Sequence, residues 1–178
     1  MPERPTMFGL RQAPELHGRR HIKRCKDRFT CDYCKLIDTN GDIQCRYNKR
    51  KFRTRRQVCC RSNNLIYAIE CKRCAMHYVG ETSREWSCRL YEHFRAIKNG
   101  DMSSPVGHHF SKANGHAGIK DVKLFALEFM QTPPDDKHKP HREAVERKWQ
   151  FRLHSNYPLG MNRDDYMPGG GKVIPQTR

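Results

Sequence analysis

Two short apolar runs, LIYAIE (Leu65–Glu70) and MHYVG (Met76–Gly80), stand on either side of CKRCA. Their β-branched and aromatic content predicts strands, the second ending at Gly80, and the connection has the length of a hairpin. SREWSCRLYEHFRAIKNG follows, with Trp86, Leu90, Phe94 and Ile97 at helical spacing. It predicts an amphipathic helix with Ser83 as N-cap and Gly100 as its stop. Met102–Gly118 has no apolar period and reads as a loop carrying His108, His109 and His116. VKLFALEFM (Val122–Met130) predicts a third strand, and TPPDDKHK a turn. Pro140 suits the first turn of a second helix running to about His154, with Val145, Trp149 and Leu153 four apart. NYPLGMN then reads as a tight loop. The order strand–hairpin–strand–helix–strand–helix predicts an α+β domain: a small antiparallel three-stranded sheet flanked by helices.

The expected organisation is a tail or linker over 1–22, a cysteine-rich basic linker over 23–62, the folded domain over 63–164, and a tail over 165–178. Composition alters this picture mainly through charge. The 178-residue chain has formal net charge +16 and mean hydropathy −0.96. Met1–Ser62 carries 17 Lys/Arg against 6 Asp/Glu, whereas Asn63–Arg178 carries 18 against 13. Such an excess points to a polyanion partner, because cations set against phosphates release condensed counterions. KRKFRTRR concentrates it in Lys49, Arg50, Lys51, Arg53, Arg55 and Arg56, which reads as a phosphate-binding arm or a nuclear-import sequence. No apolar run approaches the ~20 residues of a membrane span, and the first residues lack the apolar core of a secretory signal.

Nine cysteines without a secretory signal point to metal binding in a reducing compartment. Cys71-x2-Cys74 is half of a tetrahedral zinc site, and such a clip would fix the register of the two strands it joins. Cys31-x2-Cys34 is a second half-site, with Cys25 and Cys60 the expected partners and Cys59 and Cys45 as substitutes. Cys88 falls mid-helix and reads as a small packing residue.

Polar groups also recur where the elements must meet. Arg89 and His93 share a helical face. Tyr67 and Tyr78 lie on the first two strands, and Glu146 lies one turn before Trp149. Two phenols, a guanidinium, an imidazole and a carboxylate suit phosphodiester cleavage. The carboxylate would hold Mg²⁺ or Mn²⁺, the arginine a phosphate, and a tyrosine or histidine the attacking water. Glu143 competes with Glu146 for the metal but is expected to pair with Arg147 instead.

Leu65-Ile66-Tyr67, Tyr78-Val79-Gly80, the following Arg89 and His93, the Glu146-x2-Trp149 segment and the Pro158-x-Gly160-x-Asn162 loop together resemble the GIY-YIG endonuclease family. The resemblance spans about Leu65 to Asn162 and departs at Leu65, where the family has glycine. The Cys-x2-Cys between the tripeptides, the later histidines and the cysteine-rich segment upstream are most similar to the C-terminal endonuclease domain of Penelope-like retroelements. The resemblance implies catalytic roles for Tyr67, Tyr78, Arg89, His93, Glu146 and Asn162, the last orienting a loop or a phosphate. It implies His109 and His116 as the second half of the Cys71/Cys74 zinc site, with His108 and His77 as alternatives. It also implies nuclear, metal-dependent nicking of DNA, whose new 3′ end primes reverse transcription, with RNA and a reverse transcriptase domain as further partners. Two other expectations stand beside it: a non-catalytic zinc-stabilised nucleic-acid-binding module, and a structure-specific repair nuclease of the same family.

Overall fold

The computed structural model describes Cys25, residues 31–116 and residues 118–163. The expected tails 1–22 and 165–178 lie outside the described residues. A three-stranded antiparallel sheet is built from β3 (Asn63–Cys71), β4 (His77–Glu85) and β5 (Val122–Phe129) in the order β4-β3-β5. A separate antiparallel hairpin precedes it, formed by β1 (Asp42–Gln44) and β2 (Lys51–Arg53). The helices are α1 (Trp86–Asn99), α2 (Pro105–His109) and α3 (Lys139–Leu153). This is the α+β architecture expected, with the sheet flanked by helices.

Alternation along the central strand sorts its side chains between two cores, because successive residues of a strand point to opposite faces. Leu65, Tyr67, Ile69 and Cys71 pack with Trp86, Leu90, Phe94 and Ile97 of α1. Ile66 and Ala68 pack with Trp149 and Leu153 of α3. β3 is therefore covered on both sides, which explains why LIYAIE does not alternate between apolar and polar.

Several boundaries differ from expectation. β4 does not end at Gly80 but runs to Glu85, so Ser83 is a strand residue and not a helix cap. α1 starts at Trp86, where Trp86 N–H donates to Ser62 O at 2.7 Å and Ser87 N–H to Cys60 O at 2.6 Å. These carbonyls from the upstream segment satisfy two of the amides that a helix start leaves open. Gly100 does close α1, in the left-handed conformation (φ 61°). The expected loop after it contains α2, with Ser104 Oγ accepting from Gly107 N–H.

The upstream segment is not a detached linker. Cys34, Ile37, Val58, Cys59 and Cys60 belong to the α1-side core, and Ile43 and Cys45 to the α3-side core. Asp38 N–H and Arg55 N–H donate to Leu124 O and Ala126 O of β5, each at 2.8 Å. At the opposite edge, Met161 N–H donates to His77 O at 2.9 Å, and the Asn162 amide both accepts from Val79 N–H and donates to Val79 O at 2.8 Å. Each edge of the sheet is thus occupied by an irregular segment.

Candidate active site and metal centres

Tyr67 sits at the middle of β3, opposite Gly80 of β4 and Ala126 of β5. Its ring lies over Gly80, where an added Cβ would come within 2.6 Å of Tyr67 Oη. Glycine is needed there because no side chain fits beneath the phenol. Leu65, which stands where the family has glycine, is fully buried in the α1-side core and presents nothing to solvent.

From α1, Arg89 Nε donates to Tyr67 Oη at 3.2 Å, and His93 Nε2 lies 2.8 Å from the same oxygen. Since the guanidinium can only donate, the Tyr67 hydroxyl proton is left to donate to His93 Nε2. Tyr78 packs edge-on against His93 with ring centroids 5.1 Å apart, and 6.4 Å from Tyr67. Burial dominates the ionisation of this group. It pushes Tyr67 well above the usual phenol range, and the Tyr78 hydroxyl adds to the effect. Burial also raises Tyr78, against the opposing pull of Arg89. It drives His93 down to about 3, with Arg89 contributing in the same direction. At neutral pH the cluster is two neutral phenols, a neutral imidazole and one guanidinium.

Glu146 approaches from α3. Burial pushes its carboxyl up to about 7, and the Glu81 carboxylate is the next largest cause. Gln150 Nε2 donates to it at 3.0 Å. Its charge also bears on Tyr67, Tyr78 and Arg89, so the carboxylate lies within electrostatic reach of the phenol–guanidinium cluster. An anion held unfavourably beside a second carboxylate is relieved by a nearby cation. Glu143 points elsewhere. It lies 3.8 Å from Lys139 Nζ, a different partner from the expected Arg147.

Asn162 reaches the sheet but spends its amide on the Val79 backbone, which leaves it to orient the loop and not a phosphate. Beside Arg89, an open groove of about 260 Å³ is bordered by Glu81, Thr82, Ser83 and Arg84. A larger hollow of about 400 Å³ lies along α1 at Glu92, Arg95, Ala96, Asn99 and Asp101, away from the phenols.

Two residues around the cluster, Glu92 and Arg142, escaped the sequence reading. Glu92 accepts from Arg89 Nη1 at 2.7 Å and from Arg84 Nη2 at 2.6 Å, holding both guanidiniums beside the groove. Arg142 is only 2% exposed. Its Nε donates to Glu81 at 3.0 Å and its Nη1 to Asp135 O at 2.9 Å, locking α3 against β4 one turn before Glu146. The i,i+3 spacing of Arg89 and Glu92 could have revealed the first pairing. No local signal marks Arg142, because its partner Glu81 lies on a distant strand.

Among the described residues, two four-residue groups could each hold a metal ion: Cys25, Cys31, Cys34 and Cys60, and Cys71, Cys74, His109 and His116. Within each, all ligand atoms lie within 4.8 Å of one another. Tetrahedral zinc requires sulfurs about 3.8 Å apart and a sulfur about 3.6 Å from a nitrogen, given Zn–S of about 2.3 Å and Zn–N of about 2.0–2.1 Å. Cys31 Sγ and Cys60 Sγ are 3.6 Å apart, too far for a disulfide. Cys71 Sγ lies 3.6 Å from His116 Nδ1, and Cys74 Sγ 3.5 Å from His109 Nε2. Both groups fit structural zinc. Burial pushes the Cys34 and Cys71 thiols up to about 11, and a neighbouring sulfur adds to this. Thiolates at such positions need a cation.

Among the alternatives, His77 Nε2 is engaged with Glu70 at 2.9 Å, and Cys45 is buried on the other side of the sheet with its Sγ 3.5 Å from Leu153 O. Cys88 is exposed. The six basic residues from Lys49 to Arg56 are all exposed, before, on and after β2. Comparison with protein-family models, with curated proteins and with solved structures finds no match in any of the three.

Proposed function

We propose that the chain is a metal-dependent DNA endonuclease of the GIY-YIG type, which nicks target DNA by phosphodiester hydrolysis. The observation that carries this reading is the meeting of Tyr67, Arg89 and His93 within hydrogen-bond reach on the α1 face of the sheet, within electrostatic reach of the Glu146 carboxylate. Arg89 is 34% exposed and faces the groove, where its guanidinium matches a phosphate oxygen pair and the charge that develops on phosphorus. Glu146 is the residue to hold Mg²⁺ or Mn²⁺, and the bound cation supplies Lewis-acid stabilisation of the leaving oxygen.

Tyr67 cannot act as a free phenolate at neutral pH, because its ionisation is pushed so far up. Its hydroxyl proton is held by His93 Nε2, which leaves the oxygen to accept a hydrogen bond from the attacking water and orient it. Tyr78 closes the cluster against solvent, and the Asn162 clasp fixes the strand that carries Tyr78. One such site gives a nick. The similarity to Penelope-like elements makes a reverse transcriptase domain and an RNA template the natural partners of the new 3′ end, in the nucleus, with the basic stretch as import sequence.

Zinc-loaded protein should convert supercoiled plasmid to open circles with Mg²⁺ or Mn²⁺. Glu146→Ala should abolish this while leaving duplex binding within about twofold. A wild type that binds plasmid but leaves it supercoiled with either cation would overturn the nuclease reading and leave a zinc-stabilised binding module. Preferential cutting of flaps and junctions over linear duplex would instead place the activity in repair.

A further inference from the structure

The surface formed by the β1–β2 turn and the end of α3 has no part in the cluster described above. Tyr47 in the turn is 64% exposed, and Phe151 on α3 is 80% exposed. Buried packing does not explain either ring. His154, the residue that ends α3, sits between them, with ring centroids 5.0 Å from Tyr47 and 6.1 Å from Phe151. Asn48 Nδ2 and His154 Nε2, 3.3 Å apart, join the turn to the helix end. Phe52 against Trp149 at 5.8 Å anchors the hairpin beneath. The three rings form one row, fixed from both sides.

The charge around this row is of one sign. Residues 43–62 hold 8 Lys/Arg and no Asp or Glu, and residues 147–163 hold 4 and none. Arg46, Lys49 and Arg50 are exposed beside Tyr47 in sequence, and Arg147 and Lys148 lie one turn before Phe151 on α3. Exposed rings flanked in sequence by exposed cations complement a polyanion that presents flat apolar faces. A duplex hides those faces in its stack, whereas a single strand offers them.

We infer that Tyr47, His154 and Phe151 form a stacking platform for single-stranded nucleic acid, with Arg46, Lys49, Arg50, Arg147 and Lys148 tracking its phosphates. The platform is independent of the cleavage chemistry proposed above and would serve a non-catalytic protein equally well.

Fluorescence polarisation tests it on the zinc-loaded full chain without added divalent cation. The probes are labelled oligothymidylate and oligouridylate of about twelve nucleotides and a hairpin duplex with as many phosphates, at matched salt. Single strands should bind more tightly than the duplex. Tyr47→Ala and Phe151→Ala should each weaken single-strand binding by about tenfold, with duplex binding changed less than twofold. Tyr47→Trp should retain single-strand affinity and show quenched indole emission on binding. Unequal binding of the two oligomers would assign the strand as DNA or RNA within the same proposal.

Equal or tighter binding of duplex would overturn the platform. So would equal loss on all probes in the alanine variants, or full affinity in both. A concentration-dependent self-association that Phe151→Ala abolishes would overturn it in favour of a contact between copies of the chain. Plasmid nicking is read separately, so failure of the platform and failure of the nuclease reading are distinguishable.

Discussion

On the face of the sheet toward α1, Leu65, Ile69 and Cys71 share their core with Tyr67, with His93 hydrogen-bonded to it, and with sulfurs from both candidate zinc centres. On the face toward α3, Ile66, Ala68, Val79, Phe125 and Leu127 meet Ile43, Trp149 and Leu153, and the cysteine there, Cys45, belongs to neither centre. Burying a phenol–imidazole–guanidinium group displaces apolar contacts that would otherwise hold α1 down. The two metal centres bracket that helix. Cys60 O receives the Ser87 amide at its start, and His109 belongs to α2, which follows it. The α3 face is held by apolar packing together with the buried Arg142–Glu81 pair. A domain this small can carry a polar site in its core when metal ions hold the elements around it.

The largest expected effect separates the two kinds of buried thiol. Cys60→Ser, or removal of zinc by a chelator, should abolish the cooperative thermal transition, since a structural zinc contributes roughly 10–16 kcal/mol of apparent binding against a domain stability of about 5–15 kcal/mol. Cys45→Ala should keep both zinc ions and lose only about 1–2 kcal/mol, which scanning calorimetry with metal analysis would resolve.

Next comes the acid limb of the α1 face. His93 is held down at about 3 when folded, against an ordinary 6.5, so the unfolded chain binds the extra proton between those values. His93 therefore contributes stability that is fully present above pH 6.5 and is lost as pH falls toward 3, up to roughly 5 kcal/mol. Denaturant titrations of wild type and His93→Gln should diverge over that window, with the variant less acid-sensitive.

The apolar face answers to packing. Ile43→Ala should cost about 3 kcal/mol by urea unfolding, with zinc content and plasmid nicking retained on the folded protein. Smaller in stability is Tyr67→Phe, expected within about 1 kcal/mol, yet it should lower nicking by at least about a hundredfold. Unchanged nicking in Tyr67→Phe would remove the phenol from the chemistry.

The strands and helices were legible where apolar spacing alone determines them: β3, β5, α3 and the stripe on α1. The start of α1 was not, because its first amides are satisfied by Ser62 and Cys60 and not by a local cap. Ser83, which looks like a cap, lies in β4 opposite no helix start. Each metal group was legible from its Cys-x2-Cys half, whereas the partners outside it had to be chosen among several. The sequence spacing of Glu146 pointed to the phenols, but it could not show that Glu81 would stand beside it, nor that Arg142 would neutralise Glu81.

The Asn162 clasp has a consequence for solubility. β4 and β5 are the outer strands, and an outer strand with free carbonyls and amides recruits strands from other molecules. Here the Asn162 carboxamide imitates a partner strand's peptide group at Val79, while Asp38 and Arg55 occupy the far rim at Leu124 and Ala126. A fragment trimmed to the sheet and its helices, residues 63–153, would lose both guards and should assemble edge to edge into insoluble ribbons.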